Sequence, residues 1–425
     1  MKFTYICYQD KVLKMEEKMK KLLCMILALM LCVGVLSACS SSSSDDDTSD
    51  EDTTEAAADT SEDEDTASTS DVDLSDCGYY TLVVANSDSS TSMCETYLET
   101  LFGQIEEATD GHITFTYQPG GSLLAATEAI DGVKNGLADI CWTSTAFYAG
   151  QFPIAEFVNL AANGFTSAQM GTDVFEAMIE TIPEAAAEFE DWHIIATYAC
   201  AEAPVCTQGT KIETIEDFQG LQLRAAGTVA SNYVTALGAT PITMATSDVY
   251  EAVEKGTIDG FCNDWHNIDC FNLYECIDYC MTLAINYTAC AVLMNIDTYE
   301  SLDPELQEIC DTYFGNYAAD MAAYWWDSCR YWVGDLMEEN GVEVYEPSDE
   351  IAEYATSEEV VGDIHDWYVE YLDGYGYDGQ AIYDACVALV EEELESHEND
   401  LDEEFNYMDW IDVYGYDADT YVEED

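Results

Sequence analysis

Residues 220–267 read GLQLRAAGTVASNYVTALGATPITMATSDVYEAVEKGTIDGFCNDWHN, and their pattern decides the fold class. The apolar run that ends at Arg224 predicts a strand, and a helix and a strand beginning at Pro241 follow it. A second amphipathic helix is predicted over Ser247–Lys255, and a third strand over Ile258–Gly260. Strands that alternate with helices in this way are typical of a parallel α/β sheet.

Two polar residues, Arg224 and Asn263, follow predicted strands of this unit. Ligands of parallel sheets bind beyond the carboxyl ends of the strands. Arg224 is one of two arginines in a chain with 87 acidic and 11 basic residues. A guanidinium group matches a carboxylate with two parallel hydrogen bonds, and an amide can donate a further one. We therefore expect the pair to hold a ligand carboxylate, although an ion pair with a carboxylate of the protein is also compatible with the sequence.

The first 38 residues have the order of parts that a secretory signal peptide requires. Two lysines precede the apolar run 22–36, which is about 15 residues long, whereas a membrane-spanning helix needs about 20. Leu36-Ser37-Ala38-Cys39 resembles the bacterial lipobox, in which the cysteine is lipidated and becomes the first residue. The sequence thus predicts a signal peptide over residues 1–38 and a lipidated Cys39. The acidic residues before Met19 favour that methionine as the start of translation.

Two acidic segments flank the predicted globular part. Residues 39–76 contain mainly Ser, Asp, Glu, Thr and Ala, which predicts a disordered linker because such a segment buries too little apolar surface to fold. Residues 396–425 are acidic and aromatic and predict a loose tail. The formal net charge of −76 excludes nucleic-acid binding, which needs clustered lysines and arginines.

Thirteen cysteines follow Cys39, without CxxC pairs. Their odd number and irregular spacing do not fit a disulfide framework and favour reduced, buried thiols. A zinc site is the alternative for one cluster. Its members are Cys262, His266, Cys270, Cys276 and Cys280.

A second unit of strands and helices precedes the first one, with predicted strands at 79–85, 113–117 and 138–142. No Walker lysine and no GxGxxG motif follows any of these strands, so nucleotide binding has no support in the sequence. A long helix is predicted from Asp303 to Glu339.

The segments IEDFQGLQLRAAG (215–227) and LGATPITMATSDVYEAVEKGTIDGFCN (237–263) carry a family resemblance. The chain resembles, over roughly residues 79–395, the extracytoplasmic solute-binding proteins of tripartite ATP-independent periplasmic (TRAP) transporters, of the dicarboxylate-binding-protein type. The resemblance implies a two-lobed, periplasmic-binding-protein-like (type II-like) α/β fold with a long helix that bridges the lobes. Lobe I would comprise residues 79–203 and 289–330, and lobe II residues 204–288 and 331–395. The lobes would close on the ligand.

The resemblance also implies that Arg224 and Asn263 bind the ligand carboxylate. Pro204 and Phe147 occupy positions where some relatives have a second arginine, so we expect a ligand with one carboxylate and a neutral, hydroxylated or aromatic remainder. The other candidates for ligand contacts are Trp142, Ser144, Phe147, Tyr148, Thr246 and Trp265.

The predicted function is that of a lipid-anchored receptor on the outer face of a bacterial cell membrane. It would bind a small organic anion, without a cofactor, and deliver it to the membrane subunits of a TRAP-type transporter. A hydrolase or lyase acting in the same cleft is one alternative. Asp191 and His193 are close in sequence but no Gly-x-Ser-x-Gly motif accompanies them, and Cys262 could be a thiol nucleophile beside His266, although their spacing is that of any helix. A surface adhesin is another alternative.

Overall fold

The computed structural model describes residues 72–148, 150–394 and 396–397. The predicted signal peptide, Cys39, nearly all of the predicted linker and residues 398–425 of the predicted tail lie outside these residues. Within the described ranges, no helix has the length and apolarity that crossing a bilayer requires.

Eleven strands and thirteen helices make up the described part of the chain. The strands are β1 (Tyr80–Ala85), β2 (Ile113–Gln118), β3 (Ile140–Ser144), β4 (Trp192–Cys200), β5 (Val205–Thr207), β6 (Gln222–Arg224), β7 (Thr240–Ile242), β8 (Gly260–Cys262), β9 (Tyr279–Met281), β10 (Thr288–Asn295) and β11 (Glu343–Tyr345). The helices are α1 (Met93–Ala108), α2 (Ala129–Lys134), α3 (Ala168–Thr181), α4 (Pro183–Ala187), α5 (Gly227–Ala236), α6 (Val249–Glu254), α7 (Trp265–Cys270), α8 (Ile296–Glu300), α9 (Pro304–Asp311), α10 (Asn316–Glu339), α11 (Asp349–Ala355), α12 (Glu358–Tyr375) and α13 (Gly379–Glu393).

The strands form two sheets, which confirms the two-lobed α/β architecture. The first has the order β2-β1-β3-β10-β4, in which β1 pairs in parallel with β2 and β3 while β10 runs antiparallel to β3 and β4. The second has the order β11-β9-β5-β8-β6-β7, in which β6 pairs in parallel with β7 and β8. Each sheet therefore has a parallel part whose strand ends can carry ligand-binding residues.

Three segments pass between the sheets. Residues 201–204 connect β4 to β5, and residues 282–287 connect β9 to β10. The two connections are hydrogen-bonded to each other, because Ala203 N donates to Asn286 O at 2.9 Å and Ile285 N donates to Ala203 O at 3.0 Å. The third segment is α10, which packs against β4 and α3 on one side and against α7 and β11 on the other. It is the predicted bridging helix.

The helix predicted from Asp303 to Glu339 is in fact two helices, α9 and α10. The chain leaves α9 after Asp311 and re-enters helical structure at Asn316. Gly315, immediately before α10, has a φ of 68°, a left-handed conformation that glycine adopts without the steric penalty of a side chain. This turn redirects the chain so that α10 alone spans the two sheets.

Apolar side chains fill the space between the sheets and their helices. The cysteines are part of this core: the thirteen from Cys77 to Cys386 are all unpaired, and eleven of them are buried. Burial raises the pKa of the Cys141 thiol and the Cys262 thiol, the latter to about 12. These cysteines act as small apolar side chains.

Candidate functional site

A cavity of about 330 Å³ lies between the two sheets, within the size range of ligand pockets. Trp142 and Ser144 of β3 line it from the first sheet. Arg224, the last residue of β6, and Thr246, which follows β7, line it from the second sheet. The cavity therefore lies at the carboxyl ends of parallel strands, as predicted from residues 220–267.

The side chain of Arg224 is fixed in this cavity by three neutral acceptors. Its Nη1 donates to Asn263 Oδ1 at 3.0 Å, its Nη2 to Thr246 Oγ1 at 3.1 Å and its Nε to Met244 O at 3.3 Å. Asn263 follows β8, which pairs in parallel with β6, so the sheet brings the two residues together. The guanidinium is thus held in one orientation at the cavity wall.

Arg224 has no ion pair among the described residues, whereas each of the other lysines and arginines in that part of the chain has one. The other pairs are Lys134–Asp191, Lys211–Glu343 at 2.5 Å, Lys255–Glu251 and Arg330–Glu202 at 3.0 Å. Arg224 is only 7% exposed, and this burial lowers its pKa, an effect that the nearby charge of Asp264 opposes. A buried cation without a counter-ion is unfavourable, and the site would accept an anion readily.

Four further predicted residues line the cavity: Trp142, Ser144, Phe147 and Thr246. The indole Nε1 of Trp142 donates to Tyr198 Oη at 2.5 Å, which fixes the ring at the wall. Phe147 is 42% exposed. Its exposure at the cavity is what a residue that contacts a ligand would show.

Three predicted residues, Asn263, Tyr148 and Trp265, are not among the residues that line the cavity, and Asn263 lies behind Arg224 as its hydrogen-bond acceptor. Tyr148 donates from its hydroxyl to Ala126 O at 2.5 Å and packs in the core of the first lobe. Trp265 is fully buried and donates from Nε1 to Glu202 Oε1 at 3.2 Å. Burial in the packed interior with a satisfied polar atom is the usual state of such residues, so the structure places these two aromatic side chains in the core and not at the cavity, where they were expected.

Three carboxylates and one histidine also line the cavity: Asp88, Glu156, Asp264 and His266. Asp264 accepts from Asn267 N at 3.0 Å and so caps α7. Asp88 Oδ2 lies 3.1 Å from His266 Nε2. Burial works against protonation of His266, but Cys270 and Asp88 outweigh it and raise the pKa of this histidine. The histidine charge is therefore compensated within the protein, unlike that of Arg224.

The sequence did not identify the aromatic residues that two helices contribute to the cavity. Trp326 of α10 lines it, as do Trp367, Tyr371 and Tyr375 of α12. The α12 residues recur every four positions and therefore share one helix face. That spacing was visible in the sequence, but an aromatic stripe is equally typical of a core-facing helix. Together with Trp142 and Phe147 they give the cavity an aromatic part of its wall.

The predicted zinc cluster forms no group of metal ligands among the described residues, and of the two histidines considered as catalytic bases only His266 lines the cavity. Groups of three or more potential metal ligands occur there around Asp173, not in the predicted cysteine cluster. His193 stacks on Tyr299 with a ring-centroid distance of 3.6 Å and does not line the cavity. The raised pKa of the Cys262 thiol keeps it protonated, which makes it a poor nucleophile.

The relatives of this chain in sequence include solute-binding proteins. The chain is 23% identical to a solute-binding protein of Sulfitobacter sp. (strain NAS-14.1) over 211 residues, or 48% of this chain and 62% of that protein. It is also 23% identical to the 2,3-diketo-L-gulonate-binding periplasmic protein of Escherichia coli (strain K12) over 246 residues, or 56% of this chain and 73% of that protein. The chain thus covers just under two thirds of the Sulfitobacter relative.

Among solved structures, the fold is similar to that of a TRAP solute-binding protein from an unidentified marine microbe, with a TM-score of 0.67 at 22% identity. The similarity covers 74% of this chain and 99% of the marine protein, which is specific for aromatic acid ligands and is in complex with metahydroxyphenylacetate. The family model for "Bacterial extracellular solute-binding protein, family 7" matches residues 84–365. The match includes both sheets and the residues of the cavity from Asp88 to Trp326, and the chain therefore belongs to family 7 of the bacterial extracellular solute-binding proteins, as a TRAP-type solute-binding protein.

Proposed function

We propose that this chain is an extracytoplasmic receptor that binds a small organic acid through Arg224 and delivers it to the membrane subunits of a TRAP transporter. The observation that carries the proposal is the state of Arg224: buried, oriented by three neutral acceptors and without an ion pair among the described residues. A carboxylate ligand would supply the missing counter-ion.

The neighbourhood of Arg224 suits a carboxylate in a second respect. Asn263 uses Oδ1 to accept from the guanidinium, which leaves its Nδ2 group without a partner among the described residues. An amide nitrogen donates hydrogen bonds and does not accept them. Arg224 and Asn263 would therefore present donors together, and hydrogen bonds from a charged donor to a carboxylate are about twice as strong as neutral ones.

The remainder of the ligand is proposed to be aromatic and to carry no second carboxylate. Arg224 is the only lysine or arginine among the described residues that line the cavity, whereas three lining residues are acidic. The charge of His266 is compensated by Asp88, so a second ligand carboxylate would be desolvated without a free cationic partner, which is unfavourable. The aromatic part of the wall offers ring contacts instead. The marine relative is specific for aromatic acids, which agrees with an aryl acid as the ligand class.

Anchoring to the outer face of the cell membrane through lipidated Cys39 is part of the same proposal. Its support is the apolar run 22–36 and the lipobox-like Leu36-Ser37-Ala38-Cys39. The acidic residues that follow Cys39 would act as a tether, because like charges extend a chain.

A thermal-shift screen followed by calorimetry tests the function. The probes are benzoate, phenylacetate and gluconate as monocarboxylates, succinate and malate as dicarboxylates, and benzamide as an uncharged control. A ligand at 100 times its Kd should stabilise the protein by about 2.7 kcal/mol. We expect stabilisation by an aryl monocarboxylate and none by benzamide. Equal binding of benzamide, or tight binding of succinate, would contradict the proposal.

A further inference from the structure

We infer that Glu156 is a specificity-determining residue, which accepts a hydrogen bond from a hydroxyl or amino group that the ligand carries in addition to its carboxylate. This inference rests on the proposed function, because it assumes that the ligand carboxylate occupies Arg224. It narrows the ligand class to acids with a hydrogen-bond donor away from the carboxyl group.

The position of Glu156 is fixed by Asn159. Glu156 lies in the single-turn segment Ala155–Phe157, and its Oε2 accepts from Asn159 Nδ2 at 2.9 Å. Asn159 Oδ1 in turn accepts from the backbone N of Ala289 at 2.8 Å, at the start of β10. The backbone donor settles which end of the Asn159 amide is the oxygen. The amide nitrogen must therefore face Glu156, and the carboxylate is oriented from the sheet.

The other carboxylate oxygen of Glu156, Oε1, has no hydrogen-bond partner among the described residues. The two other acids that line the cavity are already engaged, since Asp264 caps α7 through Asn267 and Asp88 pairs with His266. Each therefore has a role within the protein. Asp264 has hydrogen bonds at both carboxylate oxygens and Asp88 is paired with a histidine, whereas Glu156 has one free oxygen and no ion pair among the described residues, which makes it the acid with the most capacity to accept a donor from a ligand.

Burial makes the ionised form of Glu156 unfavourable unless its free oxygen finds a partner. Desolvation raises the pKa of Glu156, against the hydrogen bond from Asn159. The charge of Glu156 also raises the pKa of the Glu188 carboxyl group and of the Tyr371 hydroxyl group. A partly buried carboxylate among acids is stabilised by a donor or by a positive charge. A hydroxyl group would supply the first, and an ammonium group would supply both.

Arg224 and Glu156 come from opposite lobes and line the same cavity. An acid with a donor could therefore contact both at once, with its carboxylate at Arg224 and its donor at Glu156. The reverse orientation would place two carboxylates against each other. The two residues thus allow only one orientation of the ligand. In that orientation an acid with a hydrogen-bond donor should bind more tightly than the parent acid without one.

Calorimetry on matched pairs of acids tests the inference. The pairs are benzoate with 3-hydroxybenzoate, 4-hydroxybenzoate and 3-(aminomethyl)benzoate, and phenylacetate with metahydroxyphenylacetate. In the unmodified protein at least one donor-bearing acid should bind about tenfold more tightly than its parent, the effect of one hydrogen bond to a charged group. In Glu156→Ala this preference should disappear, while the parent acids keep their affinity. Glu156→Gln should retain part of the preference for hydroxyl groups and lose that for the ammonium group. Glu305→Gln, which changes the same charge at an exposed position of α9 outside the cavity lining, should behave like the unmodified protein.

Failure of the inference and failure of the proposed function give different results. If parent acids bind through Arg224 but no donor-bearing acid is preferred, or if the preference persists in Glu156→Ala, the inference is overturned and the function stands. If no acid of the panel binds to the folded protein, both are overturned together. Loss of all binding in Glu156→Ala with retained binding in Glu156→Gln would indicate a structural role for Glu156 and would also overturn the inference.

Discussion

Nη1 of Arg224 and Oδ1 of Asn263 are 3.0 Å apart and hydrogen-bonded, although the two residues are 39 positions apart in the chain. They meet because β6 and β8 pair in parallel. The contact turns the amide nitrogen of Asn263 away from the guanidinium, and under the proposed function both side chains would donate to one ligand group. Substitutions at each of the two residues test whether this contact positions a ligand-binding group.

Replacement of Arg224 by alanine should abolish tight binding of the acid. Truncation of one partner of a buried charge pair lowers affinity by about 2–5 kcal/mol. Arg224→Lys should also bind more weakly than the unmodified protein, since an ammonium group cannot form two parallel hydrogen bonds. Calorimetry measures both, and Lys255→Ala at an exposed ion pair on the surface serves as the control. Unchanged affinity in Arg224→Ala would refute the anchor.

Asn263→Asp should weaken ligand binding without weakening the fold. The substitution is nearly isosteric and places a carboxylate beside Arg224 Nη1, where it would compete with the ligand and repel it. Like charges at close range disfavour binding by several kcal/mol, here about 2 kcal/mol or more. The free energy of unfolding should remain equal or rise, because the buried cation gains a counter-ion. Denaturant titration and calorimetry on the same preparation separate the two effects, and a gain in ligand affinity would contradict the assignment.

Phe147→Ala should lower the affinity for an aryl acid and leave thermal stability nearly unchanged. The ring is 42% exposed and lines the cavity, so its removal creates no buried void. An aromatic pair is worth about 0.5–1.5 kcal/mol beyond its buried area, and a loss of this order is expected for benzoate. Leu137→Ala, which removes an exposed apolar side chain outside the cavity lining, is the control. Equal affinities in Phe147→Ala and Leu137→Ala would show that the ring does not contact the ligand.

The free energy of unfolding should decrease as the pH rises, and the titration of Glu176 should contribute to this decrease. Burial, with like charge from Asp320 and Asp173, raises the pKa of this carboxyl group from 4.5 to about 8. The folded state therefore keeps a proton that the unfolded chain releases, so the contribution is fully present below about pH 4.5 and is lost as the pH rises through about 8. Denaturant titrations between these values should give a shallower pH dependence for Glu176→Gln than for the unmodified protein. Glu184→Gln at an exposed position should keep the original slope; a parallel curve for Glu176→Gln would contradict the assignment.

Cys39→Ser should release the protein from the membrane. The serine hydroxyl is not a substrate for the thioether bond to diacylglycerol that the lipobox resemblance implies. Mass spectrometry of the membrane fraction should show a diacylglyceryl N-terminal peptide for the unmodified protein and none for the variant. An unmodified Cys39 in a freely secreted protein would exclude this mode of anchoring.

Residues of the candidate site could be predicted from the sequence where both the residue type and its position at a strand end indicated ligand binding. Arg224 and Asn263 meet both conditions, and the structure brings them together. Phe147 and Tyr148 show the limit of the method. They are adjacent in the sequence and equally aromatic, yet only Phe147 lines the cavity, because the single-turn segment Thr145–Phe147 directs consecutive side chains to different sides.

Residues that reach the cavity through long-range packing could not be found in this way. Trp367 follows Arg224 by more than a hundred positions, and its helix, α12, reaches the cavity because it packs against α5. Local periodicity identifies a helix face but not the surface that covers it. Glu156 likewise lacks a sequence signal, since its role depends on Asn159 and on the opposite lobe. The residue limits of the two lobes stay a prediction.

Three indole rings, those of Trp142, Trp326 and Trp367, stand at the wall of the cavity. Tryptophan emission responds to the polarity and the quenching groups around the ring, so an aryl acid bound as proposed should alter the fluorescence of the protein without any attached dye. The chain thus contains its own optical reporter. If the protein were immobilised through its amino-terminal segment, it could serve as a sensor that needs no added reagent. The measured signal would be the tryptophan fluorescence of the cavity itself.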